Sequence, residues 1–204
     1  MATTERDRKL VQYLNEAYGK EKELEAALEA HIGMTTRAPY KRRLQQHLRE
    51  TKDHSRRVER RIKQLGGDSQ TLRQRVAGQA TAALKGPLHA LRGKGEEERL
   101  LKNAKTEFSE EAEEIATYSA IEVFAESVSD HDTAKLARSI KREEERMANY
   151  LRGLIPQLTR AVVRAEVPSD KRSNGRRRNG RSASNRSRSR GGTRSRQRRS
   201  GSRS

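Results

Sequence analysis

The chain has no cysteine, so neither a disulfide nor a thiolate-bound metal can form. It has no apolar run approaching the roughly 18 residues that a membrane span requires. The opening residues, Met1 to Arg6, hold no hydrophobic signal region and read as a direct helix start, which makes a cytoplasmic protein the expectation. No stretch alternates apolar and polar residues with period two, so no sheet is expected. Acids are absent from the last 34 residues. From Lys171 onward there are 13 Arg and one Lys without a single Asp or Glu, +14 of the chain's formal +18, which leaves +4 for the first 170 residues. The same tail lacks aromatics and has one aliphatic side chain, Ala183.

What hydrophobic material there is follows a helical period. It makes up 31% of the 204 residues against 36% charged, and it is confined to roughly the first 165. The spacing predicts four long amphipathic helices. The first covers residues 4–30, capped by Thr4 with Asp7 three residues on, and Gly33 follows its end. The second starts near Pro39 and stops at Gly66-Gly67, with a stripe of Leu44, Leu48, Thr51, Ser55, Val58, Ile62 and Leu65. The third covers residues 96–128. The fourth is capped by Asp132 or Thr133 and runs to about residue 163. Residues 68–95, broken by Gly86-Pro87, Gly93 and Gly95, read as a crossover with one or two short helices. Two helices, a long crossover and two more helices is the connectivity of an all-α, ferritin-like antiparallel four-helix bundle over residues 1–165. Residues 166–204 read as a disordered basic tail that cannot bury enough apolar surface to offset its conformational entropy.

Carboxylates interrupt the apolar stripes. Glu21 takes the next place in the series Leu10, Leu14, Ala17, Leu24, Leu28, and Glu144 fills the gap in Ala137, Ile140, Met147, Leu151, Leu154, Leu158. A carboxylate on a buried face is costly unless something pairs with it, and several converging on one point suggest a cation. The second helix adds Glu50 and His54, one turn apart, with His47 one turn earlier. The third adds Glu111 and Glu114 on the face of Tyr118, Ile121, Ala125 and Val128. Hard oxygen ligands with imidazole suit iron or manganese and also take zinc. The competing reading is that these glutamates, among 28 acids, are solvated. His31, His89 and His131 fall at helix ends or in loops and receive no role; Tyr18 and Tyr118 read as packing at the bundle edge.

The segment Tyr13-Leu14-Asn15-Glu16-Ala17-Tyr18-Gly19-Lys20-Glu21-Lys22-Glu23-Leu24 resembles the first helix of the YciF-type ferritin-like family of bacteria. His47-Leu48-Arg49-Glu50-Thr51-Lys52-Asp53-His54, followed by Arg57-Val58-Glu59, resembles its second. Glu111-Ala112-Glu113-Glu114-Ile115-Ala116-Thr117-Tyr118 resembles its third, and Glu143-Glu144 its fourth. The resemblance covers residues 5–160. It implies a ferritin-like bundle, di-metal binding, association into homodimers and a role in stress response, with no established catalytic activity. The ligands it carries over are Glu21, Glu50, His54, Glu111, Glu114 and Glu144. Two departures stand out: Ala112 replaces the family's His after the first Glu of the third-helix motif, and Met147 and Ala148 stand where the fourth helix would supply a second His or Asp. One ion, or a weakly held pair, fits the sequence as well as a full di-iron centre.

In the tail, Arg172, Arg176, Arg177, Arg178, Arg181, Arg186, Arg188, Arg190, Arg194, Arg196, Arg198, Arg199 and Arg203 are spaced by Ser, Gly and Asn. Such a segment binds polyanions through counterion release, and without aromatics it has little sequence preference. The resulting expectation is a ferritin-like protein, binding iron or manganese, whose tail holds it non-specifically on nucleic acid, DNA first, in the nucleoid. Two alternatives stay open: a non-metal, nucleic-acid-associated helical bundle, and a di-metal oxidase or catalase-like enzyme, against which the missing fourth-helix ligand argues.

Overall fold

The computed structural model describes residues 4–68 and 95–172. Two compact units divide the chain, Met1–Val167 and Pro168–Ser204. Within the first unit the described elements are four helices: α1 (Glu5–Met34), α2 (Ala38–Gln64), α3 (Glu96–Ser127) and α4 (His131–Glu166). Within the second, a 3-10 turn covers Ser169–Lys171. Among the described residues there is no strand, and no helix is long and apolar enough to cross a membrane.

Local chemistry sets the helix ends. Thr4 Oγ1 accepts from the Asp7 amide at 3.1 Å and Asp7 Oδ2 accepts from the Thr4 amide at 3.3 Å, the reciprocal cap that the sequence predicts. Pro39 lies in the first turn of α2, where its missing N–H costs nothing. α1 runs four residues beyond the predicted end at 30 and takes in Gly33. A Cβ there would meet nothing, and the chain turns only at Thr35, whose Oγ1 donates to the His31 carbonyl. The cap of α4 is Asp130, not Asp132 or Thr133: its Oδ1 accepts from the Thr133 amide at 3.0 Å. Arg61 of α2 holds the same carboxylate at 2.6 and 2.8 Å, a long-range partner invisible to local pattern.

Residues 35–37 join α1 to α2 and residues 128–130 join α3 to α4, so each pair is an antiparallel hairpin. Cross-links orient the hairpins. Lys20 meets Glu113 and His31 meets Glu107, so α1 and α3 are antiparallel. His54 meets Glu143 and Arg61 meets Asp130, so α2 and α4 are antiparallel. Tyr40 meets Glu107 and His47 meets Glu111, so α2 and α3 run the same way. Thr36 donates to Glu96, which sets the start of α3 beside the start of α2. With 27 residues, α2 is about 40 Å long, so the chain leaves at one end of the bundle and returns at the other. This is the ferritin-like connectivity. The short helices expected in the crossover fall on residues 69–94, outside the described residues.

The core has two apolar ends. Leu24, Leu28, Tyr40, Leu44, Leu100, Met147 and Leu151 pack at one, and Leu14, Val58, Ile62, Ile121, Ala137 and Ile140 at the other. Each Leu, Ile, Val or Met among them contributes about 1.5–3 kcal/mol by leaving water. Between them lies a layer of a different kind: Glu21, His47, Thr51, His54, Glu111 and Glu144 are all 0% exposed and Glu114 is 1%.

Candidate metal centre

Helical spacing puts these groups on inward faces. On α3, Glu107, Glu111, Glu114 and Tyr118 follow one another by four, three and four residues, and all are buried. On α2, His47 and His54 are seven residues apart, about 20° from alignment, so both point to the axis. Glu21 and Glu144 occupy stripe positions on α1 and α4 that would otherwise hold aliphatic side chains.

Two groups of three side chains converge, and Glu144 belongs to both. In the first, His54 Nδ1 lies 2.7 Å from Glu144 Oε1 and 3.5 Å from Glu21 Oε1. In the second, His47 Nε2 lies 2.9 Å from Glu111 Oε1 and 3.6 Å from Glu144 Oε2. Within each group the three donor atoms lie within 4.8 Å of one another. These are close approaches without hydrogen-bond geometry. His47 Nε2, His54 Nδ1, Glu21 Oε2 and both carboxyl oxygens of Glu111, Glu114 and Glu144 have no hydrogen-bond partner in the protein. Buried polar atoms are ordinarily partnered. Carboxylates and imidazoles gathered in this way, Glu21 with His54 and Glu144 and Glu111 with His47 and Glu144, are donors of the kind that hold a cation, and Glu114 is buried with both oxygens unpartnered.

Each imidazole is aimed from behind. His54 Nε2 is 2.8 Å from Glu143 Oε2, and Arg57 holds Glu143 at 3.3 Å. His47 Nδ1 is 3.3 Å from Glu50 Oε2, which Arg43 holds at 3.0 Å and Gln46 at 2.9 Å through its other oxygen. An N–H given to a carboxylate on the outer side leaves the inner nitrogen as a lone-pair donor, the usual way of orienting a ligating histidine. Tyr118 adds an O–H to Glu21 Oε1 at 2.5 Å.

The charges press on one another. Burial lowers the basicity of both rings, but Glu111 and Glu50 bring His47 up to about 10 and Glu143, Glu144 and Glu21 bring His54 up to about 12. Burial and the neighbouring Glu144 push Glu111 up to about 8. Burial, with Glu21, Glu144 and Glu111 close by, pushes Glu114 well above the carboxylate range. Glu21 is raised by burial, while Glu144, flanked by both histidines, is lowered despite its burial. Among the described residues no Lys or Arg is buried to compensate the central carboxylates. Two divalent cations with neutral imidazoles would balance them.

Of the six residues read as ligands from the sequence, Glu21, His54, Glu111 and Glu144 enter the two groups, and Glu114 is buried with both oxygens unpartnered. Glu50 stands outside both groups, its side chain 19% exposed and its carboxyl held low, to about 2: burial opposes this, but His47 and Arg43 outweigh it. His47 is the residue that the stripe reading passed over. Leu48 of the apolar stripe is only half-buried, and His47 and Thr51 take the inward side. The seven-residue interval to His54 was the available signal. His31, given no role, is buried and lies 2.8 Å from Glu107. Tyr118 is an interior donor and not bundle-edge packing. Met147 and Ala148 pack as buried core. His89 and every arginine of the tail except Arg172 fall outside the described residues.

The sequence pattern of the family described as "Domain of unknown function (DUF892)" matches residues 5–164. The fold is similar to the crystal structure of a protein from Xanthomonas campestris pv. campestris, with 24% identity over 79% of this chain and 99% of that one and a TM-score of 0.64. It is also similar to the stress protein YciF of E. coli, with 18% identity over 76% of this chain and 97% of that one and a TM-score of 0.55. No curated protein matches the chain significantly.

Proposed function

The chain belongs to the DUF892 family, of YciF type, and on that premise we propose that it is a ferritin-like metal-binding protein of the stress response, with a tail that binds nucleic acid. The observation that carries the metal reading is the sharing of Glu144: one carboxylate offers an oxygen to each of two groups, each with its own imidazole and its own second carboxylate. Two ions, iron or manganese, would be held by Glu21, His54 and Glu144 on one side and by His47, Glu111 and Glu144 on the other, with Glu114 available to both. Both imidazoles then come from α2, which makes good the histidine that α4 lacks. Glu50 and Glu143 act as orienting carboxylates in matched positions. Such ions would supply redox chemistry toward dioxygen or peroxide. The protein's own part is to exclude water with the two apolar ends, to fix the imidazoles from behind, and to hold Glu21 through Tyr118.

Metal analysis of protein purified without chelators tests the reading. Up to two ions per chain are expected, and loss of both in a Glu21→Ala/Glu144→Ala double variant. Unchanged content in that variant overturns it. The tail reading rests on the +14 of residues 171–204. Sedimentation of the full-length chain tests the homodimer that the resemblance implies.

A further inference from the structure

A second buried polar cluster lies about 6 Å along α3 from Glu111, one turn toward the start of the helix. Glu107 is 0% exposed and sits among aliphatic side chains at one apolar end of the bundle. His31 Nδ1 of α1 lies 2.8 Å from its Oε1, and the Tyr40 hydroxyl of α2 donates to its Oε2 at 2.8 Å. The first approach lacks hydrogen-bond geometry: His31 Nδ1 and Glu107 Oε1 are both without a hydrogen-bond partner. One turn further along the same face comes Asn103, 0% exposed, with neither its amide oxygen nor its amide nitrogen partnered. A wholly unpartnered amide in an apolar end opposes folding, and a structural ion pair of His31 with Glu107 gives no reason for it. Glu110, on the adjoining flank of α3, keeps one buried oxygen without a partner.

We propose that His31, Glu107 and Asn103 form an accessory divalent-cation site, separate from the central pair and one turn from it along α3. Its donors would be an imidazole nitrogen, a carboxylate oxygen and an amide oxygen. Tyr40 keeps the second oxygen of Glu107 occupied and so turns Oε1 toward His31. A set of one nitrogen and two oxygens suits borderline first-row ions such as Zn(II) or Mn(II). With a single carboxylate it is a weaker site than the central one.

The test is a Zn(II) titration of the full-length protein followed through imidazole nitrogen resonances in NMR, with the His31 signal assigned from a His31→Gln variant. His31 Nδ1 should shift at higher zinc than His47 and His54 do. Glu107→Gln and Asn103→Leu should weaken the His31 response at least as much as the about 10–100-fold typical of losing an outer-shell partner, and leave the His47 and His54 responses in place. Asn103→Leu keeps the His31–Glu107 pair, so it guards against a fold defect in Glu107→Gln. A His31 signal unmoved at millimolar zinc overturns the proposal, as does a His31 shift that both variants retain. Movement of His31 with His47 and His54 unmoved would overturn the central reading and leave this one standing.

Discussion

Glu144 is the side chain on which both central groups depend. Glu144→Ala should therefore remove both ions, whereas Glu21→Ala or Glu111→Ala should remove one; equilibrium dialysis against Mn(II) reads the difference. Glu50→Gln and Glu143→Gln act through the imidazoles, and each should weaken one ion by about 10–100-fold without abolishing it. Glu114 is the plainest case of a group kept against folding. Both its oxygens are buried and unpartnered, and its carboxyl is driven well above the ordinary range. Glu114→Leu should stabilise the metal-free protein by about 1–3 kcal/mol, the cost of leaving such groups unsatisfied, and should reduce the further stabilisation that metal provides. Urea melts with and without Mn(II) measure both effects.

At the scale of the helix, the start of α4 combines local and long-range chemistry. Asp130 caps the helix through Thr133 and accepts two bonds from Arg61, whose side chain is 14% exposed. Burial raises its carboxyl, but the Thr133 amide and Arg61 outweigh that and hold it below the ordinary value of 3.8. Asp130→Ala should cost about 1 kcal/mol for the cap and about 1–3 kcal/mol in all once the charged partner is lost. The sign with pH follows from the depressed value. The contribution is fully present above the unfolded-chain pKa and disappears as pH falls through the lower folded one. Wild type and variant should differ at pH 7 in urea unfolding and converge as pH falls from the ordinary value of 3.8 through the lower folded one. A difference that persists in acid would assign the loss to packing.

For the whole molecule, metal binding and folding are one equilibrium. A ligand held only by the folded state adds about 2.7 kcal/mol when present at 100 times its Kd. For a domain of this size each kcal/mol raises the melting temperature by about 2–4 °C. Chelator treatment should lower melting accordingly, and the Glu144→Ala variant should not respond. The tail should be separable. Removing residues 171–204 takes away +14 and should leave the helix content and melting of residues 1–167 nearly unchanged. Affinity for duplex DNA should fall strongly in the truncated protein. If about six to ten phosphates are engaged, full-length binding should weaken by roughly 10³–10⁵-fold between 50 and 200 mM salt. Scrambling the tail at constant composition should preserve affinity. Equal affinity of truncated and full-length protein would move the polyanion site into the bundle.

Four helices, the Thr4–Asp7 cap, the proline start of α2 and the intrusion of Glu21 and Glu144 into apolar stripes were legible in the sequence, because helical period and capping are local properties carried by neighbours within a few residues. The composition of the last 34 residues was equally plain. What only the tertiary structure decided is which side chains face one another. Rotating an inward face by about 60° exchanges Glu50 for His47, and that angle is set by how α2 packs on α1 and α4, not by α2 alone. The same is true of Arg61, which holds the capping Asp130 from another helix, and of His31, which sits near a helix end in sequence but meets Glu107 across the bundle. The stripes show that carboxylates are buried; the packing of four helices decides that one of them, Glu144, stands between two histidines of a single helix.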